Sequence, residues 1–250
     1  MREFLDVAIE AAQAAGQLLR ENFDQPLQVN STELHDIKLE IDVRTQDLIT
    51  RLLLERFPQH ALYGEEGIVG DQTAEYQWVV DPLDGTVNYF YRIPHFCTSI
   101  ALRHRGEIIV GVILDPMRNE MWTALKGTPS LLNGREIRVS PRTVLAETIV
   151  TVGLSKTAVT IGAGLPLLQH MATRVRKCRA MGSAALDMAY VSCGRFDAYI
   201  EQGVSLWDIA AGALLITAAG GRVDLRPRED APDKYKVVAY NGLLDFGVEL

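Results

Sequence analysis

The sequence predicts a domain of mixed α and β class, and three stretches carry that expectation. Residues from about Glu3 to Asn22 place Phe4, Val7, Ala8, Ala11, Ala15, Leu18 and Leu19 at helical spacing, as an amphipathic helix on a core does. Cys97–Leu102 and Ile108–Leu114 are apolar runs on either side of a turn at Arg105-Gly106-Glu107, the pattern of an antiparallel hairpin. Leu206–Leu215 reads as an almost wholly apolar helix with one acid, Asp208, in its first turn.

The remaining elements follow in order. Asp36–Val43 alternates polar and apolar residues like a half-buried strand, yet Ile37 and Ile41 also fit the start of a helix running to about Phe57. That boundary stays open. Ala61–Tyr63 is a short strand leading into Gly64-Glu65-Glu66-Gly67, and Trp78–Val80 is an apolar run that ends abruptly at Asp81. Asp115-Pro116 reads as a turn, and Met121–Ala124 as a further strand. The second half begins near Ser140-Pro141-Arg142 and opens on a strand at Thr148–Val152. A glycine-rich loop is expected from about Ser155 to Leu165, then a helix from Pro166 to about Arg174. Arg179–Ala185 joins a strand to a small-residue helix, and Asp197–Glu201 and Val237–Tyr240 are strands.

Composition narrows the function. With 48% hydrophobic and 23% charged residues, the 250-residue chain is of ordinary globular type. Its 25 Lys+Arg against 32 Asp+Glu leave a net charge of −7 and no sustained basic face. That balance argues against a nucleic acid polymer as partner, though not against a small phosphorylated metabolite. The three cysteines, Cys97, Cys178 and Cys193, suggest neither a disulfide framework nor a zinc site. Met1–Asp6 lacks the apolar core of a signal peptide, and no apolar run approaches the roughly 20 residues that span a bilayer. The expectation is a cytoplasmic protein without a membrane partner.

The chemistry is concentrated in carboxylates. Asp81-Pro82-Leu83-Asp84-Gly85-Thr86 sets two acids on one turn, and hard divalent cations want several oxygens held rigidly. The adjacent Glu65 and Glu66 repel each other unless a cation sits beside them; an acidic surface turn is the plainer reading. Asp208 is explained by the helix dipole or as a rigid metal ligand. Asp42, near a helix start, is either a cap or a functional acid. Gly182-Ser183 precedes a helix and suits an anion or an ordinary cap. None of the five histidines has a catalytic context, and neither a Gly-x-Ser-x-Gly elbow nor a Walker A loop is present. Gly162-Ala163-Gly164 lacks the third glycine of a dinucleotide motif.

In order and spacing, Asp42, Gly64-Glu65-Glu66, Asp81–Thr86 and Trp207-Asp208 resemble the inositol monophosphatase family of lithium-sensitive, magnesium-dependent phosphatases. The resemblance runs from Asp36 to Asn241, and its Asp-Pro-x-Asp-Gly-Thr block is highly specific. It implies a layered αβαβα sandwich in one domain, residues 1–250. Residues 1–139 would form a metal-binding half with helices on a large antiparallel sheet, and 140–250 a second sheet on the substrate side. It also implies two to three Mg²⁺ ions, a homodimer, and metal ligands at Glu65, Asp81, the Leu83 carbonyl, Asp84 and Asp208. Asp42 and Thr86 match the pair that orients and deprotonates the attacking water, with Glu66 close by. Gly85 and Thr86 match the phosphate-holding amides; Gly182, Ser183, Ala184 and Glu201 fall at the inositol hydroxyls, with Arg179 near the pocket wall.

The implied reaction is hydrolysis of a small polyol or sugar phosphate, inositol monophosphate first. In such a reaction, paired ions lower the pKa of the attacking water and neutralise the leaving alkoxide. The alternatives are 3'-phosphoadenosine 5'-phosphate, fructose 1,6-bisphosphate or NADP as substrate, or a non-catalytic binding protein on the same fold. Two departures bear on the site. Ser31 stands where the family usually has a lysine, and Gln46 where a glutamate is common.

Overall fold

Alternation along the strands sorts this chain into layers. The computed structural model describes residues 1–154 and 156–247, apart from the side chains of 232 and 233. The chain opens with α1 (Arg2–Asn22), a hairpin of β1 (Val29–Glu33) and β2 (Asp36–Leu39), and α2 (Glu40–Arg56). Next come β3 (Ala61–Gly64), β4 (Gly67–Val69), β5 (Tyr76–Asp84) and the short α3 (Thr86–Phe90). A meander of β6 (Cys97–His104), β7 (Glu107–Asp115), β8 (Glu120–Leu125), β9 (Leu131–Leu132) and β10 (Arg135–Glu136) follows. The rest is β11 (Ile149–Val152), α4 (Ala158–Ala172), β12 (Lys177–Arg179), α5 (Ala184–Ser192) and β13 (Ala198–Ser205). The chain then runs through α6 (Leu206–Ala218), β14 (Arg222–Arg228) and β15 (Ala231–Tyr240).

Among the described residues, β3 to β10 form an eight-stranded sheet in the order β10-β9-β8-β7-β6-β5-β3-β4. All its neighbours are antiparallel except β3 and β5. A five-stranded sheet runs β12-β11-β13-β15-β14.

Side chains of successive strand residues point to opposite faces, so each sheet can bury both. On β5, Trp78 and Val80 join Ala8, Ala11 and Ala15 of α1 and Ile49 and Leu53 of α2. Val79, between them, joins the core made with α5 and α6. On the smaller sheet, Tyr199, Val237 and Ala239 face that same central core, while Ala198, Ile200 and Val238 pack with Met171 of α4. The layers are therefore α1/α2, large sheet, α5/α6, small sheet, α4. This is the αβαβα sandwich. Both helices of the central layer lie between sheets, which is why α6 had no polar face to show in the sequence.

One boundary left open is settled, and one expectation meets a different outcome. The Asp36–Val43 strand stops at Leu39, and Asp42 lies in the first turn of α2. Its Oδ2 accepts a 2.7 Å hydrogen bond from the Leu39 N–H, the reciprocal half of a capping box. The glycine-rich loop is instead the first half of α4, which runs through Gly162, Gly164 and Pro166; Ser155 lies outside the described residues. Thr157 caps this helix by accepting from Thr160 N, and Leu167, Leu168 and Met171 pack it onto the small sheet. Packing thus outweighs the weak propensity of its glycines and proline.

Candidate active site

The site is built at the end of β5. Up to Asp81 the strand is regular, and parity puts Asp81 on the Val79 face, toward α6. Asp84 would point the other way in an unbroken strand. The register against β6 shifts between them: Asp81 sits opposite Ser99 and Asp84 opposite Cys97. Three steps on β5 span two on β6, so a bulge brings both acids to one face. Pro82, with no N–H to pair, stands inside that irregularity.

Two other elements deliver the partners. β3 runs parallel to β5 with Gly64 beside Val80, so Glu65 emerges next to Asp81, its N–H donating to the Val80 carbonyl at 3.2 Å. Asp208 occupies the first turn of α6, where Ser205 N–H donates to its Oδ2 at 2.8 Å. Ligand oxygens of Glu65, Asp81 and Asp208 all lie within 4.8 Å of one another.

The electrostatics of this cluster call for a cation. Burial raises the pKa of Asp81 well above the usual carboxylate range, and Glu65, Asp84 and Asp208 raise it further. Burial does the same for Asp208, reinforced by Glu65 and Asp84. Asp84 is pushed up to about 6 by burial, although Ser183 Oγ and Ala185 N–H each donate to its Oδ2 at 2.7 Å. Buried like charges this close cannot all ionise unless positive charge joins them. Oxygen-only donors on three rigid elements suit Mg²⁺, so the residues fit the ion that the resemblance implies.

Beside the cluster lie the water-handling candidates. Asp42 is buried; burial lifts its pKa to about 8, against the Leu39 hydrogen bond and with help from Glu66 and Glu65. Its Oδ1 is buried and has no hydrogen-bond partner among the described residues. Glu66 is also raised by burial, with Lys38 Nζ at 3.6 Å opposing. Thr86 Oγ1 donates to the Leu83 carbonyl at 3.0 Å; no hydrogen bond joins it to Asp42 among the described residues.

The carboxylate cluster and Thr86 open onto a cleft of about 740 Å³, lined by Glu65, Asp81, Leu83, Asp84 and Asp208. Asp42 and Glu66 do not line it. Gly85, with φ +99°, turns the chain into α3; an added Cβ there would meet the His95 and Gly182 carbonyls at 3.1 and 3.3 Å. Gly182, Ser183, Ala184 and Glu201 complete the far wall. Glu201 lies against Gly153, where a side chain would collide with its Oε2, and accepts a hydrogen bond from the Tyr199 hydroxyl. Arg179 is exposed on the edge strand β12 and is not part of the lining. A larger groove of about 1090 Å³, at the C-terminal end of α6, is lined by aliphatic side chains and scattered charges and lies apart from the carboxylates.

Two site residues escaped the sequence reading, and a third, Gln46, was met there only as a departure from the family pattern. Lys156 reaches Asp36 Oδ1 at 2.8 Å and Glu65 Oε1 at 3.5 Å, though nothing in its neighbourhood announces it. Asn88 donates from Nδ2 to the His95 and Met181 carbonyls at 2.8 and 2.9 Å, stitching α3 to the substrate wall. An amide so close behind Asp84-Gly85-Thr86 was the available signal. Gln46 accepts from Glu66 N–H at 2.9 Å and donates to the Gly67 carbonyl at 3.2 Å, fixing the Glu65-Glu66 turn.

The family question is decided by comparison with known proteins. The profile of the inositol monophosphatase family matches residues 1–245. The chain belongs to the inositol monophosphatase family. It is 39% identical over 249 residues to the inositol-1-monophosphatase of Mesorhizobium japonicum, covering 96% of this chain and 92% of that one. It is 38% identical over 250 residues to the Nus factor SuhB of Pseudomonas aeruginosa, with the same shares covered, 96% and 92%. Among solved structures, the inositol monophosphatase from Anabaena matches with TM-score 0.85 at 35% identity, covering 97% of this chain and 92% of that chain. The extragenic suppressor protein suhB from Bartonella henselae matches with TM-score 0.88 at 33% identity, covering 95% and 93%. Inositol monophosphatase membership makes the αβαβα sandwich and a phosphatase-type hydrolase site the expected pairing. No helix among the described residues is long and apolar enough to cross a membrane.

Proposed function

We propose that this protein is a Mg²⁺-dependent phosphomonoesterase acting on a small polyol or sugar phosphate, inositol monophosphate first. The observation that carries this reading is the convergence of Glu65, Asp81 and Asp208 within 4.8 Å at a cleft. Those three, with Asp84 and the Leu83 carbonyl, would hold the ions. Bound Mg²⁺ supplies Lewis-acid charge for the phosphoryl oxygens and acidifies water.

The chain's own residues do the rest. Asp42 carries a buried Oδ1 with no hydrogen-bond partner among the described residues. With its pKa raised to about 8 this carboxyl is mostly protonated near neutral pH, and the carboxylate form that takes a proton from water would be favoured beside bound Mg²⁺. The Thr86 hydroxyl, anchored on the Leu83 carbonyl, stands between the metal ligands and the α3 amides. Ser183 and Ala185 hold Asp84 in one orientation, so that ligand needs little reorganisation. Across the cleft Glu201, fixed by Tyr199, accepts hydrogen bonds from vicinal hydroxyls, which favours a polyol over a bare phosphate.

A panel of phosphate esters assayed for phosphate release with Mg²⁺, with EDTA, and with added Li⁺ tests the reading. Inositol monophosphate turned over in Mg²⁺ and silent in EDTA is the expected result. Faster turnover of 3'-phosphoadenosine 5'-phosphate, fructose 1,6-bisphosphate or NADP would move the substrate and keep the chemistry. The name Nus factor SuhB, borne by relatives about as similar as the phosphatases, favours a second reading as a binding protein. No phosphate release from any ester of the panel would leave that one standing.

A further inference from the structure

Lys156 is a charged group of the cleft that the metal-phosphatase reading does not use. It sits one residue before Thr157, the N-cap of α4, so a capped helix fixes the backbone that carries it. Its Nζ lies 2.8 Å from Asp36 Oδ1 on β2 and 3.5 Å from Glu65 Oε1 after β3. One ammonium thus joins three separate segments across the mouth of the site. Lys38 performs the parallel duty on Glu66, at 3.6 Å. At this corner three carboxylates, Asp36, Glu65 and Glu66, meet two lysines, which leaves one negative charge for ions held with Asp81 and Asp208. Without Lys156 the corner would carry two negative charges on oxygens already close together, enough to hold a divalent ion of its own.

We propose that the Lys156 ammonium is a resident cation of this site: it fills the place between Asp36 and Glu65 where a third divalent ion would bind, so the protein takes two ions. The inference rests on the metal-phosphatase reading above. It assigns Lys156 a positioning role, since it acts through Glu65 and touches no reacting atom.

Ion counting on the purified full-length protein tests it, with Mn²⁺ as the probe and free Mn²⁺ read by electron paramagnetic resonance. Wild type is expected to bind two Mn²⁺. Lys156→Met is expected to gain a third, bound about tenfold or more tighter than any additional ion in wild type. Lys156→Arg, which keeps the charge, should count like wild type, and Lys156→Gln gives the same reading as Met if the latter folds poorly. Three ions in wild type, or unchanged stoichiometry and affinity in both neutral variants, would overturn the proposal while leaving the metal site in place. Wild type without Mn²⁺ binding, or Asp84→Asn binding as wild type does, would overturn the metal-site reading and this inference together.

Discussion

The two walls of the cleft are built in different ways. On the β5 wall, Asp81 and Asp84 are 1% and 8% exposed, sit on a strand end inside an eight-stranded sheet, and accept hydrogen bonds from Leu83, Ser183 and Ala185. On the facing wall, Glu201 leans on Gly153, and Lys156 and the first turn of α4 come from the segment that links β11 to the outermost layer. The first wall is held by hydrogen bonds at the strand end and from the start of α5; the second is assembled from β13, the end of β11, the start of α4 and the segment before α5. Fixed oxygens suit a reaction that demands ions in one geometry, and the assembled wall is where a substrate can be chosen without disturbing them.

The largest break of this contrast is Asp84→Asn. Activity should fall by about 10³-fold or more, because one ligand oxygen loses its charge where ions must sit. The fold should survive, since the amide keeps an acceptor for Ser183 and Ala185 and relieves like-charge crowding. Circular dichroism and thermal melting beside phosphate release check both halves; unchanged turnover would remove Asp84 from the site.

Metal removal should expose the same wall through pH. Asp42 and Asp84 carry folded pKa values of about 8 and about 6, both above the ordinary 3.8. Between about pH 4 and pH 8 the metal-free folded protein therefore retains protons that the unfolded chain has released, so stability falls as pH rises. Melting in EDTA should drop by several degrees from about pH 5 to about pH 8, and saturating Mg²⁺ should abolish the slope. A flat profile in EDTA would mean the carboxylates tolerate one another without ions.

The facing wall is probed by Glu201→Gln. KM for a polyol phosphate should rise roughly tenfold with a smaller change in kcat, since the lost contacts are to hydroxyls away from the reacting phosphorus. An equal fall in kcat would place Glu201 in the chemistry and blur the contrast. Asn88→Ala tests the seam between walls: the His95 and Met181 carbonyls lose their donor, at about 1–3 kcal/mol. For a chain of this size, each kcal/mol lowers Tm by about 2–4 °C.

The same contrast separates what the sequence disclosed from what it did not. The β5 wall was legible because its residues are local: Asp81, Asp84 and Thr86 lie within one turn, and a buried apolar strand rarely ends in two acids unless a cation holds them together. Mixed α and β class was legible from periodicity, but the five-layer order rests on the resemblance, since pairing β3 parallel to β5 is a non-local choice. The bulge that turns Asp84 toward Asp81 leaves no compositional mark beyond Pro82. On the other wall, α4 was misread because glycine and proline were weighed as breakers, while burial against the small sheet decided otherwise. Lys156 was invisible, since its partners Asp36 and Glu65 are distant in sequence and only the fold brings them together.

The smallest expected effect is also the sharpest in sign. Gln46→Glu keeps the acceptor for Glu66 N–H but loses the donor to the Gly67 carbonyl, and it sets a third carboxylate beside Glu65 and Glu66. In EDTA both changes act against the folded state, together about 1–2 kcal/mol. With Mg²⁺ the added charge works in the opposite direction, because it strengthens the field that holds the ions. Melting with and without Mg²⁺ should therefore show a deficit of a few degrees that shrinks or vanishes on loading, with kcat within about threefold of wild type. A deficit of the same size in both conditions would make Gln46 a tie for the turn alone, outside the reach of the ions. A deficit that disappears would extend the fixed wall one layer back, from Glu65 through Glu66 to α2.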